Sequence, residues 1–157
     1  MDQTSIAPHE PTKIFTSHAR NFEDVMLWRA LSAVGRGFYI DAGASDPDVY
    51  SVTRAFYERG WRGINVEPGL KPYAALVARR TEDINLRRAL SDVTGEQVFH
   101  VVEESTLSSL EPDIATYHRA NGLKVREMLI PTMTLAEVCR QHVTGDKIGR
   151  ASCRERV

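Results

Sequence analysis

The stretch Gly37-Phe-Tyr-Ile-Asp-Ala-Gly-Ala44 decides the fold class of this chain. It is a short apolar run between glycines that ends on Asp41, and this pattern predicts a central parallel strand covered on both faces. Gly43 lies in the first turn after the strand. Ligands of open parallel sheets bind at the carboxyl ends of the strands, where loops meet helix N-termini. The stretch therefore predicts a first strand and one wall of a binding site.

Helix and strand signals alternate after this stretch. A helical pattern begins at Ser51 and ends at Gly60, where a left-handed C-cap is expected. A strand over 63–67, a helix over 70–80 and a strand over 84–90 follow. Parallel strands joined by right-handed crossovers satisfy this order with short connections. We therefore predict an α/β fold with a doubly wound, mostly parallel sheet.

A helix is also expected before the first strand. Asn21 is a suitable N-cap, and the pattern ends near Gly35. Apolar residues at three-to-four spacing predict one buried face. These residues are Phe22, Val25, Met26, Trp28 and Leu31.

The regular alternation of strand and helix signals ends after residue 92. Strands are expected over 97–102 and 125–130, with a weak helix over 114–121 between them. Thr134 and Glu137 form the pattern of a capping box, which predicts a final helix that extends to about residue 142.

The composition describes a globular domain. The 157 residues carry 20 Lys and Arg against 21 Asp and Glu, and 42% are hydrophobic, which is enough to bury a core. Two cysteines exclude a disulfide scaffold. A net charge of −1 gives no basic stripe for nucleic acid or an anionic membrane, and no apolar run is long enough to span a bilayer. We expect a cytoplasmic protein without nucleic-acid or membrane partners.

Acidic residues follow three predicted strands, namely Asp41, Glu67 and Asp92. An ionised carboxylate can accept hydrogen bonds from both hydroxyls of a ribose, which suits the acid at the end of the second strand. The next acid in the row can accept a hydrogen bond from an exocyclic amine such as that of adenine. These positions predict a nucleoside that lies across the strand ends.

The first turn argues against a dinucleotide. The segment Gly43-Ala-Ser-Asp-Pro-Asp48 lacks the G-x-G-x-x-G pattern, and the charges of Asp46 and Asp48 would repel a diphosphate. These two residues serve equally well as turn and N-cap residues. A ligand with ribose, adenine and a zwitterionic end fits better, and S-adenosylmethionine has these parts. A nicotinamide-dependent oxidoreductase is the alternative, although it would have to bind diphosphate without the glycine turn.

Several ordered strings resemble the FkbM-type methyltransferases, a branch of the Rossmann-like class I S-adenosylmethionine-dependent enzymes. The resemblance extends over about residues 17–143. The strings are Asn21-Phe-Glu-Asp-Val-Met-Leu-Trp-Arg-Ala, Gly37-Phe-Tyr-Ile-Asp-Ala-Gly-Ala, Ser51-Val-Thr, Phe56-Tyr-Glu-Arg-Gly-Trp-Arg-Gly-Ile-Asn-Val-Glu-Pro, Asp83-Ile-Asn-Leu, Ala89-Leu-Ser-Asp, Leu107-Ser-Ser-Leu and Thr134-Leu-Ala-Glu-Val-Cys.

The resemblance implies methyl transfer from S-adenosylmethionine to a hydroxyl, often on a sugar or polyketide, so the expected partner is a small-molecule or glycan acceptor. By the same resemblance Asp41 and Gly43 border the methionine part of the cofactor, Glu67 the ribose and Asp92 the adenine. The neighbours of these residues complete the expected cofactor site, and they are Ala44, Pro68 and Ser91.

The end of the chain departs from the family. Family members continue after the last helix with a strand that reads roughly Phe-Leu-Lys-Ile-Asp-Val-Glu-Gly and lies beside strand one. Residues 148–157 instead read IGRASCRERV, which resembles a translated sequencing adapter. We therefore expect a flexible lead over 1–16, the N-terminal part of a methyltransferase domain over 17–147 and a non-native tail over 148–157. On this interpretation strand one is an edge strand, and the chain is an inactive, weakly folded fragment.

Candidates for other chemistry are weak. The five histidines show no i, i+4 pair and have no cysteine partner, so we expect no metal site. Cys139 lies in a helical pattern and is expected in the core. His18 is a base or, as the favoured interpretation, a polar loop residue, and no catalytic residue is assigned.

Overall fold

The structure, a computed structural model, describes residues 14–102 and 107–143 and the backbone of residues 152–153. The elements in chain order are α1 (Glu23–Leu31), β1 (Phe38–Ala42), α2 (Arg54–Tyr57), β2 (Arg62–Val66), α3 (Leu70–Arg79), β3 (Ile84–Leu86), β4 (Ala89–Leu90), β5 (Gly95–Val102), α4 (Pro112–Ala120), β6 (Val125–Met133), α5 (Leu135–His142) and β7 (Ser152–Cys153).

Four parallel strands form the first sheet, in the order β3-β2-β1-β7. The strand β1 pairs with β2 along its whole length, from Phe38 opposite Arg62 to Ala42 opposite Val66. This confirms the parallel strand predicted over 37–44. On its other side β1 pairs with β7 at Asp41 and Ala42. The expectation that strand one is an edge is therefore wrong at these two positions, because a segment of residues 148–157 pairs there.

The second sheet has three strands, in the order β4-β6-β5. The pairing of β5 with β6 is antiparallel, whereas β4 and β6 are parallel. The single strand predicted over 84–90 is wrong, since it is divided between the two sheets: Leu86 pairs with Val66, but Ala89 pairs with Thr132. The amide of Arg88 donates to the carbonyl of Leu86 at 3.0 Å, and this tight turn ends β3. The separation is set by which strands are available as partners, which local sequence does not encode.

The register of the first sheet gives it two chemically different faces, because side chains alternate along a strand. The apolar face carries Phe38 and Ile40 of β1, Ile64 and Val66 of β2, and Leu86 of β3. The polar face carries Tyr39, Asp41, Gly63, Asn65 and Asn85 of the same strands.

The main core lies on the apolar face. Ile40, Ile64 and Val66 pack there with Met133 of β6 and Val138 of α5, and all five are buried. Cys139 packs against the same cluster but is only partly buried, so its predicted place in the core is confirmed in part. This core therefore joins the two sheets.

The helix α1 differs from its prediction at its N-terminus. The N-cap is Phe22 in a left-handed conformation, not Asn21, and Phe22 and Met26 are exposed. The carboxylate of Asp24 turns back and accepts hydrogen bonds from the amides of His18 and Ala19 at 2.6 and 3.1 Å. These local hydrogen bonds hold the segment before α1 against its first turn. The buried side of α1 consists of Leu27, Trp28 and Leu31, which pack against Tyr39, Phe56 and Trp61.

The other helices confirm several local predictions. Gly60 has a φ of +85°, as expected of a C-cap after α2. Thr134 Oγ1 accepts a hydrogen bond from the Glu137 amide at 3.1 Å, so the predicted cap of α5 forms. In α3 the spacing of Leu70, Tyr73, Leu76 and Val77 predicts one apolar face. This prediction is wrong in part, since Leu76 is buried but Leu70 and Val77 are exposed. No helix within residues 14–102 and 107–143 is long and apolar enough to cross a membrane.

Candidate functional site

The turn after β1 gives a ligand access to the backbone. Gly43 has a φ of +67°, which favours glycine, and a Cβ atom placed there would meet no atom within 4 Å. The amides of Gly43 and Ala44 donate to the carbonyl of Val66 at 2.8 and 3.3 Å, so the turn closes onto the end of β2. Asp41, just before the turn, is buried and accepts a hydrogen bond from Thr53 Oγ1 at 2.8 Å. The open space beside Gly43 is bounded by a fixed backbone.

Glu67 lies at the carboxyl end of β2, as the sequence predicts, and two loops hold its carboxylate. Its Oε2 accepts a hydrogen bond from the Ser45 amide and its Oε1 one from the Gly69 amide, each at 2.8 Å. Ser45 adopts a left-handed conformation with a φ of 56°. A Cβ at Gly69 would lie 2.8 Å from Glu67 Oε1 and 2.8 Å from Pro72 Cγ, so a larger residue would force one of these side chains to move. Glu67 is 8% exposed and the neighbouring Pro68 is buried. The carboxylate is therefore oriented before any ligand binds.

Ser91 and Asp92 follow β4, so they belong to the second sheet and not to the third strand of the first. The hydroxyl of Ser91 donates to Asp92 Oδ1 at 3.0 Å and accepts a hydrogen bond from Gln97 Nε2 at 2.8 Å. Asp92 is exposed. The structure thus brings the residues after β1 and β2 together and places the Ser91 and Asp92 pair on the neighbouring sheet.

The two acids of the β1–α2 loop (residues 43–53) have structural partners. Asp46 Oδ1 accepts hydrogen bonds from the amides of Asp48 and Val49, both at 2.8 Å, which is the predicted turn role. Asp48 forms ion pairs with Arg54 at 3.7 Å and Arg79 at 3.0 Å. The two arginines offset the charge of Asp48. The repulsion of a diphosphate by Asp48 is therefore weaker than the sequence predicts.

Sequence reasoning missed a buried polar network on the polar face. Asp83 accepts hydrogen bonds from the Tyr39 hydroxyl, from the Gly63 amide at 2.8 Å and from Asn65 Nδ2 at 3.0 Å. Burial raises the pKa of Tyr39 far above its ordinary value, and the charge and hydrogen bond of Asp83 raise it further. The sequence did contain one signal for this network. Tyr39, Asp41 and Asn65 are polar residues at alternate positions of strands that are predicted to be buried on both faces.

Two other candidates lie apart from the strand ends. His18 Nε2 is 3.5 Å from Glu58 Oε2, beyond the end of α2. A cavity of about 440 Å³ is lined by Ile14, Thr16, Glu58 and Arg59. Glu58 and Arg59 precede β2, so this cavity lies toward the amino ends of the strands. Within the described part of the chain, no group of three or more His, Cys, Asp or Glu side chains is arranged to hold a metal ion.

The fold defines an α/β protein with one parallel and one mixed sheet, and Asp41 and Glu67 lie at the carboxyl ends of neighbouring parallel strands. Residues 41–149 match the methyltransferase FkbM domain, which is more than two thirds of the chain, and the chain therefore belongs to this family. The match confirms the resemblance seen in the sequence. Neither the curated proteins nor the solved structures include a significant match to the chain.

Proposed function

We propose that the protein binds S-adenosylmethionine and transfers its methyl group to a hydroxyl of a sugar, a glycan or another small molecule. Membership of the methyltransferase FkbM family supports methyl transfer. The observation that carries the cofactor assignment is the carboxylate of Glu67, which two backbone amides hold beside the open turn at Gly43.

The residues present suit the parts of this cofactor. A carboxylate can accept hydrogen bonds from a ribose diol, which is the role proposed for Glu67. The open space at Gly43, between Asp41 and Ala44, suits the methionine part, which must pass close to the backbone. Pro68 is buried next to Glu67, and its ring restricts the backbone that follows this carboxylate. Ser91 and Asp92 offer hydrogen-bond acceptors for the adenine amine.

The bound cofactor would supply an activated methyl group on a sulfonium. The task left to the protein is to hold the acceptor oxygen in line with that methyl group, since orientation alone can provide much of the rate. A general base would assist by taking the hydroxyl proton, and no residue of this chain is assigned that role.

Calorimetry with S-adenosylhomocysteine, S-adenosylmethionine and NAD tests the proposal. We expect both sulfur compounds to bind and NAD not to bind. The variant Glu67→Gln keeps the shape but loses the charge, and we expect its affinity to fall about tenfold, which corresponds to about 1.4 kcal/mol. Glu96→Gln, at an exposed position in β5, is the matched control and should bind as the wild type does.

Three outcomes would contradict the proposal. Binding of NAD alone would favour the oxidoreductase, and binding of none of the three compounds would favour the alternative of an inactive chain. Equal affinity of the wild type and Glu67→Gln would remove Glu67 from the site. If the cofactor binds, transfer of a labelled methyl group to a panel of sugars and other hydroxyl compounds tests the acceptor class, and product on sugars is the expected result.

A further inference from the structure

We infer that Arg80 is a positioning residue that fastens the β1–α2 loop in the conformation needed to bind the cofactor. This inference rests on the proposed function. Arg80 directly follows α3, and it is 2% exposed. A buried arginine is rare unless its charge is paired or hydrogen-bonded, so its contacts identify what it holds.

The guanidinium of Arg80 reaches two points of the loop. Its Nη2 donates to the carbonyl of Pro47 at 2.7 Å and to the hydroxyl of Ser51 at 3.0 Å, and both of these residues are buried. Its Cζ lies 4.7 Å from the centre of the Tyr57 ring, which adds a cation–π contact. The planar guanidinium can make these contacts together, whereas a lysine ammonium is a single point of charge.

The same loop carries the groups of the candidate site. At its start the Ser45 amide donates to Glu67, and at its end the Thr53 hydroxyl donates to Asp41. Arg80 holds the segment between these two points. If the segment moves, the Ser45 amide leaves Glu67, and the carboxylate loses one of the two amides that orient it.

Arg79 provides a comparison within the same helix end. It also contacts the loop, through an ion pair with Asp48 at 3.0 Å, but its side chain is 62% exposed. Exposed ion pairs contribute little because water screens them. Arg79→Met is therefore the matched control for Arg80→Met.

The test measures affinity for S-adenosylhomocysteine and hydrogen exchange on the full chain, well below the melting temperature of each variant. For Arg80→Met we expect at least about tenfold weaker binding, since hydrogen bonds to a charged donor are lost. We also expect faster exchange in residues 44–53, with exchange in α5 unchanged. Arg80→Lys should restore part of the affinity, and Arg79→Met should bind within about threefold of the wild type.

A residue with only a structural role would lower the melting temperature and leave the affinity of the folded protein unchanged. For Arg80→Met, affinity within about twofold of the wild type would therefore overturn the inference, whether or not loop exchange changes. If this variant does not fold, Ser51→Ala removes one acceptor and should also speed loop exchange; an unchanged loop would overturn the inference. If the wild type binds no S-adenosylhomocysteine, the proposed function fails, and hydrogen exchange alone still decides whether Arg80 holds the loop.

Discussion

The apolar and polar faces of the first sheet are built from alternating residues of the same strands, but they are stabilised differently. On the apolar face, Ile40, Ile64 and Val66 pack against α5 and β6, and burial from water is the main source of stability. On the polar face, the Asp83 carboxylate accepts hydrogen bonds from residues of β1 and β2. Asp83 satisfies all three donors, whereas the buried Asn65 Oδ1 has no hydrogen-bond partner among the described residues. A buried network stabilises only as far as its members are satisfied.

The difference shows how the two faces divide their roles. Packing on the apolar face is non-directional, so it joins the sheets without specifying one loop conformation. Hydrogen bonds on the polar face are directional, and on that side lie the contacts that hold the β1–α2 loop, including those of Thr53 with Asp41 and of Arg80 with Ser51. The loop of the candidate site therefore depends on hydrogen bonds of the polar face, whereas the packing that joins the two sheets lies on the apolar face.

Truncation on the apolar face should have the largest effect. Ile64 is fully buried, so Ile64→Ala should lose about 2–5 kcal/mol of unfolding free energy through lost burial and the cavity left behind. Ile64→Val is the graded control and should lose about 0.5–1.5 kcal/mol. Urea denaturation measures both values, and equal stability of the two variants would contradict this account of the face.

Removal of the Asp83 carboxylate from the polar face should have the second largest effect on stability. Asp83→Ala leaves the Tyr39 hydroxyl, the Gly63 amide and Asn65 Nδ2 without this partner. We expect a loss of about 1–3 kcal/mol in urea denaturation, the cost of unsatisfied buried polar groups. Asp83→Asn retains one acceptor oxygen and should lose less. A loss no greater than that of a surface variant such as Glu96→Gln would show that the network is dispensable.

Alkaline pH should weaken the polar face through Tyr39. Its pKa is raised in the folded protein, chiefly by burial and then by Asp83, so the folded state keeps the proton that the unfolded state loses above about pH 10. The stabilisation is therefore present below pH 10 and falls as pH rises further, by at most about 1.4 kcal/mol per pH unit. Tyr39→Phe should flatten the stability profile above about pH 10, and a profile that matches the wild type would contradict this assignment.

The smallest effect is expected at the helix that covers the apolar face. Thr134→Ala removes the side-chain cap of α5, whose Val138 lies in the core, and should cost about 1 kcal/mol. Thr134→Ser keeps the hydroxyl and should stay within a few tenths of a kcal/mol of the wild type. Thermal melts measure both variants. If both lose the same stability, the cause is the lost methyl group of Thr134 and not the lost cap.

Local signals predicted much of the fold and part of the site. The glycine-bounded run at 37–44 indicated β1, Gly60 indicated the end of α2, and Thr134 indicated the start of α5, because each depends on nearby residues only. The positions of Asp41 and Glu67 at strand ends followed from the same pattern. The contacts of Asp83 and Arg80 could not be predicted, since they join residues that are 18 to 44 positions apart in the chain.

The sequence by itself determined the α/β class, the parallel strand at the centre of the sheet and the family, because periodicity and ordered motifs are properties of the chain. Tertiary structure alone decided that residues 84–90 divide between two sheets, that Asp83 joins β1 and β2, and that Arg80 reaches the β1–α2 loop. The physical reason is the same in each case. Hydrogen bonds and strand pairing take the partner that the fold brings near, and that partner is distant in sequence.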